Sequence, residues 1–150
     1  MNDGTAHFVT LCAYRRQPIF GALTNGRVTL SPAGQLARDA WLALPGQLAG
    51  LRLDAFVFMP NHVHGLLWLP AQAALRAVLD GYRATLRAAR VNGDRPVFQP
   101  SFHGRAVRRP AALASLRDYV RNNPADWARD PLNPAAEMVA CAVPPPLSPL

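Results

Sequence analysis

Residues 51–69 read LRLDAFVFMPNHVHGLLWL. Residues 51–59 are rich in β-favouring side chains, and 62–69 resume the same character. Pro60-Asn61 lies between them, and a proline cannot donate to a central ladder. The stretch therefore predicts two strands joined as a hairpin. Working outward, residues 7–13 (HFVTLCA) predict an earlier strand. Ser31-Pro32 predicts a helix start, with serine as cap and proline at the first helical position, and Pro45-Gly46 ends that helix. After the hairpin, Leu75, Val78, Leu79, Tyr82 and Leu86 recur at helical spacing within 71–90. Asn92-Gly93-Asp94 is a turn, and 97–107 predict a fourth strand. Pro110 opens a last helix with Leu113, Leu116 and Val120 on one face, which Pro124 ends. The order is β-α-β-β-α-β and then a helix. It predicts an α+β domain of ferredoxin-like βαββαβ architecture, an antiparallel sheet with helices on one face, plus an added C-terminal helix.

The chain has 150 residues, a formal net charge of +7 and 50% hydrophobic residues. That composition excludes global disorder and suits a single domain over 1–130, followed by a proline-rich tail, 131–150, expected to be disordered. No apolar run is long enough to span a bilayer, and the start has no secretory pattern. Cys12 and Cys141 lie far apart in no motif and read as free thiols, so a cytoplasmic location is expected. All 16 basic residues are arginine. Ten of them fall in residues 76–121 beside only Asp80, Asp94 and Asp118, so this segment carries the whole net charge. A basic block of this kind suits a phosphate backbone, or forms a solvated face.

Two constellations carry chemistry. Residues i and i+2 of a strand share a face, so His62 and His64 present two imidazoles side by side with Val63 pointing the other way. Two neutral imidazoles at that spacing can hold a divalent cation. Tyr119 and Asn123, at i and i+4, share one side of the last helix beside its apolar stripe. His7 and His103 are isolated, and Trp41 and Trp68 read as core aromatics.

Met59-Pro60-Asn61-His62-Val63-His64-Gly65 resembles the HUH signature of single-tyrosine transposases, and more specifically of the REP-associated tyrosine transposases. Phe8-Val9-Thr10 with Arg15-Arg16 and Pro18-Ile19-Phe20 resembles that family's first strand and following loop. Val97-Phe98-Gln99 with Phe102-His103 resembles its aromatic-Gln segment, and Tyr119-Val120-Arg121-Asn122-Asn123-Pro124 the motif that carries its nucleophile. The resemblance spans about residues 7–127 and rests on four ordered motifs. It implies that Tyr119 is the nucleophile and that His62, His64 and Asn123 bind Mg²⁺ or Mn²⁺. It also implies an enzyme that cleaves and rejoins single-stranded DNA at REP-like hairpins through a 5′-phosphotyrosine. The partner would be single-stranded or hairpin DNA at the nucleoid, with the protein acting as a monomer or homodimer. Arg83, Arg87, Arg105, Arg108 and Arg121 could track the DNA backbone.

Three positions depart from the family pattern: Phe98 where Trp is usual, Gly104 where Asp is usual, and Arg83 where Lys is frequent. The Gly104 departure favours one alternative, a non-catalytic hairpin-binding module. A second alternative is a zinc hydrolase in which His62, His64 and a third ligand such as His103 activate water.

Overall fold

The computed structural model describes residues 4–125. The proline-rich tail expected over 131–150, and the last five residues of the expected domain, lie outside the described residues. The chain forms β1 (Thr5–Cys12), a short 3-10 turn (Tyr14–Arg16), β2 (Gly21–Thr24), β3 (Arg27–Leu30), α1 (Pro32–Leu42), α2 (Leu44–Gln47), β4 (Arg52–Met59), β5 (His62–Leu69), α3 (Leu75–Ala88), β6 (His103–Val107) and α4 (Pro110–Asn122). The main sheet has the order β4-β5-β1-β6, with every neighbouring pair antiparallel. β1 and β4 therefore run parallel with β5 between them, and β5 and β6 run parallel with β1 between them. These are two interleaved split βαβ units, as expected from the element order.

Several features depart from expectation. β2 and β3 form a separate hairpin inserted between β1 and α1. Asn25-Gly26 sits at its tip with both residues at positive φ (53° and 74°), the turn that an Asn-Gly pair favours. The fourth strand is also shorter than 97–107: only Phe98 makes a bridge, to Ala13, and regular pairing starts at His103. Pro96 and Pro100 leave too few donors for a continuous ladder there. Cys12, read from the sequence as a free thiol, is buried on β1 and disulfide-bonded; Cys141 lies outside the described residues.

Strand alternation sorts the side chains onto two faces. Val9, Leu11, Phe58, Val63, Leu67 and Leu69 pack with Trp41 of α1 and with Leu79, Tyr82 and Leu86 of α3. Ser31 caps α1 by accepting from Gly34 N at 3.0 Å, and Tyr82 ties the helices together by donating to the Ala37 carbonyl at 2.8 Å. The opposite face carries Ala6, Phe8, Leu66 and Val107, covered by Ala112, Leu116 and Val120 of α4. The sheet is thus covered on both faces rather than on one. Trp41 is core, as expected, while Trp68 is only partly buried, against α4.

Candidate active site

The even-numbered residues of β5 face α4, and this places both imidazoles of the His-x-His pair beneath that helix. His62 lies between Met59 of β4 and Cys12 of β1, and His64 between Val57 and Thr10. Both histidines are fully buried, with ring centroids 4.6 Å apart.

Each ring is oriented from behind. Pro60-Asn61 is the two-residue turn of the β4–β5 hairpin, and the Asn61 side chain is buried. Its Nδ2 donates to the Arg16 carbonyl at 3.3 Å, and its Oδ1 accepts from His62 Nδ1 at 2.9 Å. A carbonyl oxygen can only accept, so His62 carries its proton on Nδ1 and keeps a lone pair on Nε2. Thr10 Oγ1 holds His64 Nδ1 at 2.8 Å, which turns Nε2 of that ring toward the Tyr119 hydroxyl, 3.5 Å away. Phe8 stacks on His64 (5.6 Å between centroids) and meets Tyr119 edge-on (6.1 Å). Burial pushes the His62 pKa down to about 3, with the nearby Asn123 amide a smaller opposing influence. Burial, and then the neighbouring His62, push His64 well below its ordinary value. Both rings are therefore neutral at pH 7, the form that offers a lone pair to a cation.

α4 brings the other two residues. Leu116 and Val120 seat the helix on the sheet, and Tyr119 sits beside that stripe, partly buried, over Phe8 and His64. Asn123 caps the helix C-terminus, buried next to His62. Tyr119, Asn123, His62 and His64, drawn from two segments more than fifty residues apart, thus meet in one place.

Among the described residues there is no cluster of three or more His, Cys, Asp or Glu side chains that could hold a metal. The donor set on offer is two imidazoles and one amide. It suits a divalent cation: both rings are held through Nδ1 by protein groups, the usual arrangement behind a metal-ligating histidine. His103 does not join the pair. It lies opposite Thr10 on the far side of β1, two strand spacings, or roughly 10 Å, from His64.

The arginines divide between the two sides of the sheet. Arg105 projects from β6 toward the α4 side, partly buried, and Arg121 is exposed on the last turn of α4, within 3.4 Å of Asp118. Arg108 is exposed at the end of β6. Arg83 and Arg87 lie on α3, across the sheet from the histidines. Arg83 donates to the Gln99 and Pro100 carbonyls (3.2 and 2.7 Å) and pairs with Asp80 (2.9 Å). Arg87 donates to the Asp94 carbonyl at 2.9 Å. With Tyr14 and Phe98 the two line a groove of ≈ 490 Å³. Gly104 also points away from the site: a Cβ there would meet Leu75 and Phe102 on the α3 side. An acidic side chain at that position would not reach the His62–His64 pair, so its absence removes nothing from this cluster.

Sequence reading did not single out Asn61, Thr10 or Phe8 as site residues. Asn61 and Thr10 had a signal in hindsight, since polar side chains inside apolar strand segments need a partner. Phe8 had none beyond sharing Thr10's strand face.

No family model matches the chain. An uncharacterised protein of Haemophilus influenzae is 25% identical over 150 aligned residues, which cover 84% of this chain and 83% of that one. Two solved structures share the fold. One is a REP-associated tyrosine transposase bound to a REP hairpin, with TM-score 0.65 and 20% identity, covering 84% of this chain and 69% of that one. The other is a candidate transposase from Deinococcus radiodurans, with TM-score 0.54 and 18% identity, covering 79% of this chain and 90% of that one.

Proposed function

We propose that this chain, which has the fold of a REP-associated tyrosine transposase, is a transposase that cleaves and rejoins single-stranded DNA at hairpins, with Tyr119 as nucleophile. The observation that carries the reading is the Tyr119 hydroxyl 3.5 Å from Nε2 of a buried, neutral His64, on a helix that also brings Asn123 to His62. Such a cluster has no evident purpose in a merely structural core, where two buried imidazoles would be a liability.

In this reading Tyr119 attacks a backbone phosphorus. The bond to the 3′ oxygen breaks, the 5′ phosphate stays on the tyrosine, and the phenolic proton ends on the departing 3′ hydroxyl. Attack by a 3′ hydroxyl on the same phosphotyrosine reverses the step, so rejoining requires no external energy source. Mg²⁺ or Mn²⁺, held by His62, His64 and Asn123, would neutralise charge on the non-bridging phosphate oxygens and favour the phenolate. Asn61 and Thr10 keep both imidazole Nε2 atoms turned toward the tyrosine side. Phe8 limits the Tyr119 ring to one edge of His64 and excludes water from behind it. Arg105, Arg108 and Arg121 supply positive charge on or near this side of the sheet for the DNA backbone. Arg83 and Arg87 would contact DNA only where the strand continues around the end of β1. All four central residues come from one chain, which supports a site complete in a monomer. A bacterial cytoplasm, at the nucleoid, is the location this activity requires, and no described helix is long and apolar enough to cross a membrane.

The test is incubation with a panel of single-stranded hairpin oligonucleotides and Mn²⁺, read on a denaturing gel. Wild-type protein is expected to form a covalent adduct. Tyr119→Phe should lose the adduct by about 10³-fold or more while keeping hairpin affinity. Equal adduct from Tyr119→Phe would remove the nucleophile assignment, and hairpin binding without adduct under any divalent metal would leave a binding module.

A further inference from the structure

The seating of α4 on the sheet contains one directional contact that the reaction residues do not use. β4 carries a bulge between Leu53, opposite Leu67, and Phe56, opposite Gly65. Asp54 and Ala55 therefore both oppose Leu66, and the extra residue aims Asp54 at α4. Its carboxylate accepts from Arg117 twice, Nε to Oδ1 at 2.9 Å and Nη2 to Oδ2 at 2.6 Å. Trp68 Nε1 donates to Oδ2 at 3.0 Å, and the Ala55 N–H donates to Oδ1 at 2.7 Å. The Asp54 side chain is 14% exposed and that of Arg117 35%. This is a sheltered, fork-shaped pair rather than a loose surface contact.

Apart from Tyr119 and Asn123, α4 otherwise seats on the sheet through Ala112, Leu116 and Val120, which are apolar. Apolar contacts are non-directional and tolerate a helix rolling on its seat. Arg117 and Tyr119 lie on opposite shoulders of that stripe, about 160° apart around the helix. Without the Arg117 contact α4 is free to roll in either direction, and either roll displaces Tyr119 from its place over His64, and Asn123 with it.

We propose that Asp54 is a positioning residue: through Arg117, and steadied by Trp68, it sets the roll of α4 that presents Tyr119 to His64 and Asn123 to His62. The proposal rests on the reading of Tyr119 as nucleophile. The Arg117 guanidinium holds the Asp54 carboxyl well below the usual carboxylate range, so the pair stays charged wherever the protein is folded near neutral pH.

The experiment compares full-length wild type with Asp54→Asn, Arg117→Gln, Arg117→Lys and the milder Trp68→Phe, which removes only the indole donor. Three quantities are read: single-turnover adduct formation on a hairpin oligonucleotide with Mn²⁺, hairpin affinity, and the NMR cross-relaxation between the Tyr119 and Phe8 rings. Asp54→Asn and Arg117→Gln should keep hairpin affinity within about twofold, lose adduct rate by about tenfold or more, and weaken the cross-peak, since small misplacements of a reacting group are costly. Arg117→Lys keeps the charge without the fork and should fall between, and Trp68→Phe should lose two- to threefold. Wild-type rate and cross-peak in folded Asp54→Asn or Arg117→Gln would overturn the proposal. So would equal losses of rate and hairpin affinity, which would make Arg117 a DNA contact. If Asp54→Asn fails to fold, Trp68→Phe decides the matter by the same two readouts. If wild type itself forms no adduct, the nucleophile reading fails, and the cross-peak still decides whether the pair sets the roll of α4.

Discussion

At the residue scale the cluster is built from groups that burial keeps uncharged. His62 and His64 are fully buried; Asn61, an acceptor, fixes the ring proton of the first, and Thr10 holds the second ring through Nδ1. Their depressed pKa values make a definite prediction for the metal-free protein. Unfolding returns each imidazole to its ordinary value of 6.5. Below that pH the unfolded chain takes up protons that the folded chain refuses, so the unfolded state gains. Stability should therefore be fully present above pH 6.5, fall as the pH drops, and lose its His62 dependence only below about pH 3, where the folded ring itself protonates. Asp54, also depressed, adds to the loss only below its ordinary value of 3.8. Urea midpoints measured from pH 7.5 to 4 check this, with His62→Gln giving a shallower slope than wild type. A flat profile in wild type would mean that the rings are solvated. The His-x-His pair and the Tyr119–Asn123 spacing were legible in the sequence, because a two-residue and a four-residue period map directly onto a strand and a helix. That the two pairs meet was not legible from spacing, because nothing local to either segment encodes a contact across more than fifty residues. Only the family resemblance put them together.

At the element scale, β5 is the hinge of the design. Its odd-numbered residues feed the α1–α3 core, and its even-numbered residues hold the histidines. Gly65 is the point where the two duties collide, since a methyl group there would lie about 2.6 Å from Trp41 Cζ2. Gly65→Ala should therefore push Trp41 or β5 out of place and destabilise the protein by roughly 1–3 kcal/mol. Thermal unfolding by circular dichroism measures it, and a neutral result would show that Trp41 has room to retreat. The strands β1, β4 and β5 and the helices α1, α3 and α4 were legible from period and capping. The β2–β3 hairpin was not anticipated, although Asn25-Gly26 marks it, because its four-residue strands are too short to show a period. The bulge at Asp54 had no sequence signal at all. It is a consequence of pairing register, which depends on the partner strand.

At the scale of the whole molecule, the net charge of +7 resolves into two different populations. Arg83 and Arg87 tie α3 to the 94–100 segment through backbone carbonyls. Arg121 is exposed on the helix that carries Tyr119. The proposed function then separates them in solution. Arg121→Ala should weaken hairpin binding and reduce the salt dependence of that binding by about one counterion. Arg83→Ala should lower the melting temperature and leave the salt slope unchanged. Fluorescence titrations at several salt concentrations, with melts of both variants, decide it. A lowered salt slope for Arg83→Ala would instead draw DNA into the groove beside Tyr14.

By itself the sequence determined the α+β class, the order of the main elements, the shared face of His62 and His64, and the shared side of Tyr119 and Asn123. Each of these follows from backbone periodicity, which is local. Only the tertiary structure decided that α4 covers the face opposite α1 and α3. It alone decided that Gly104 points away from the histidines, that Asn61 and Thr10 orient the two rings, and that Asp54 reaches Arg117. Those outcomes depend on strand order, register and the close packing of distant segments, and each is a property of the sheet as a whole rather than of any stretch within it.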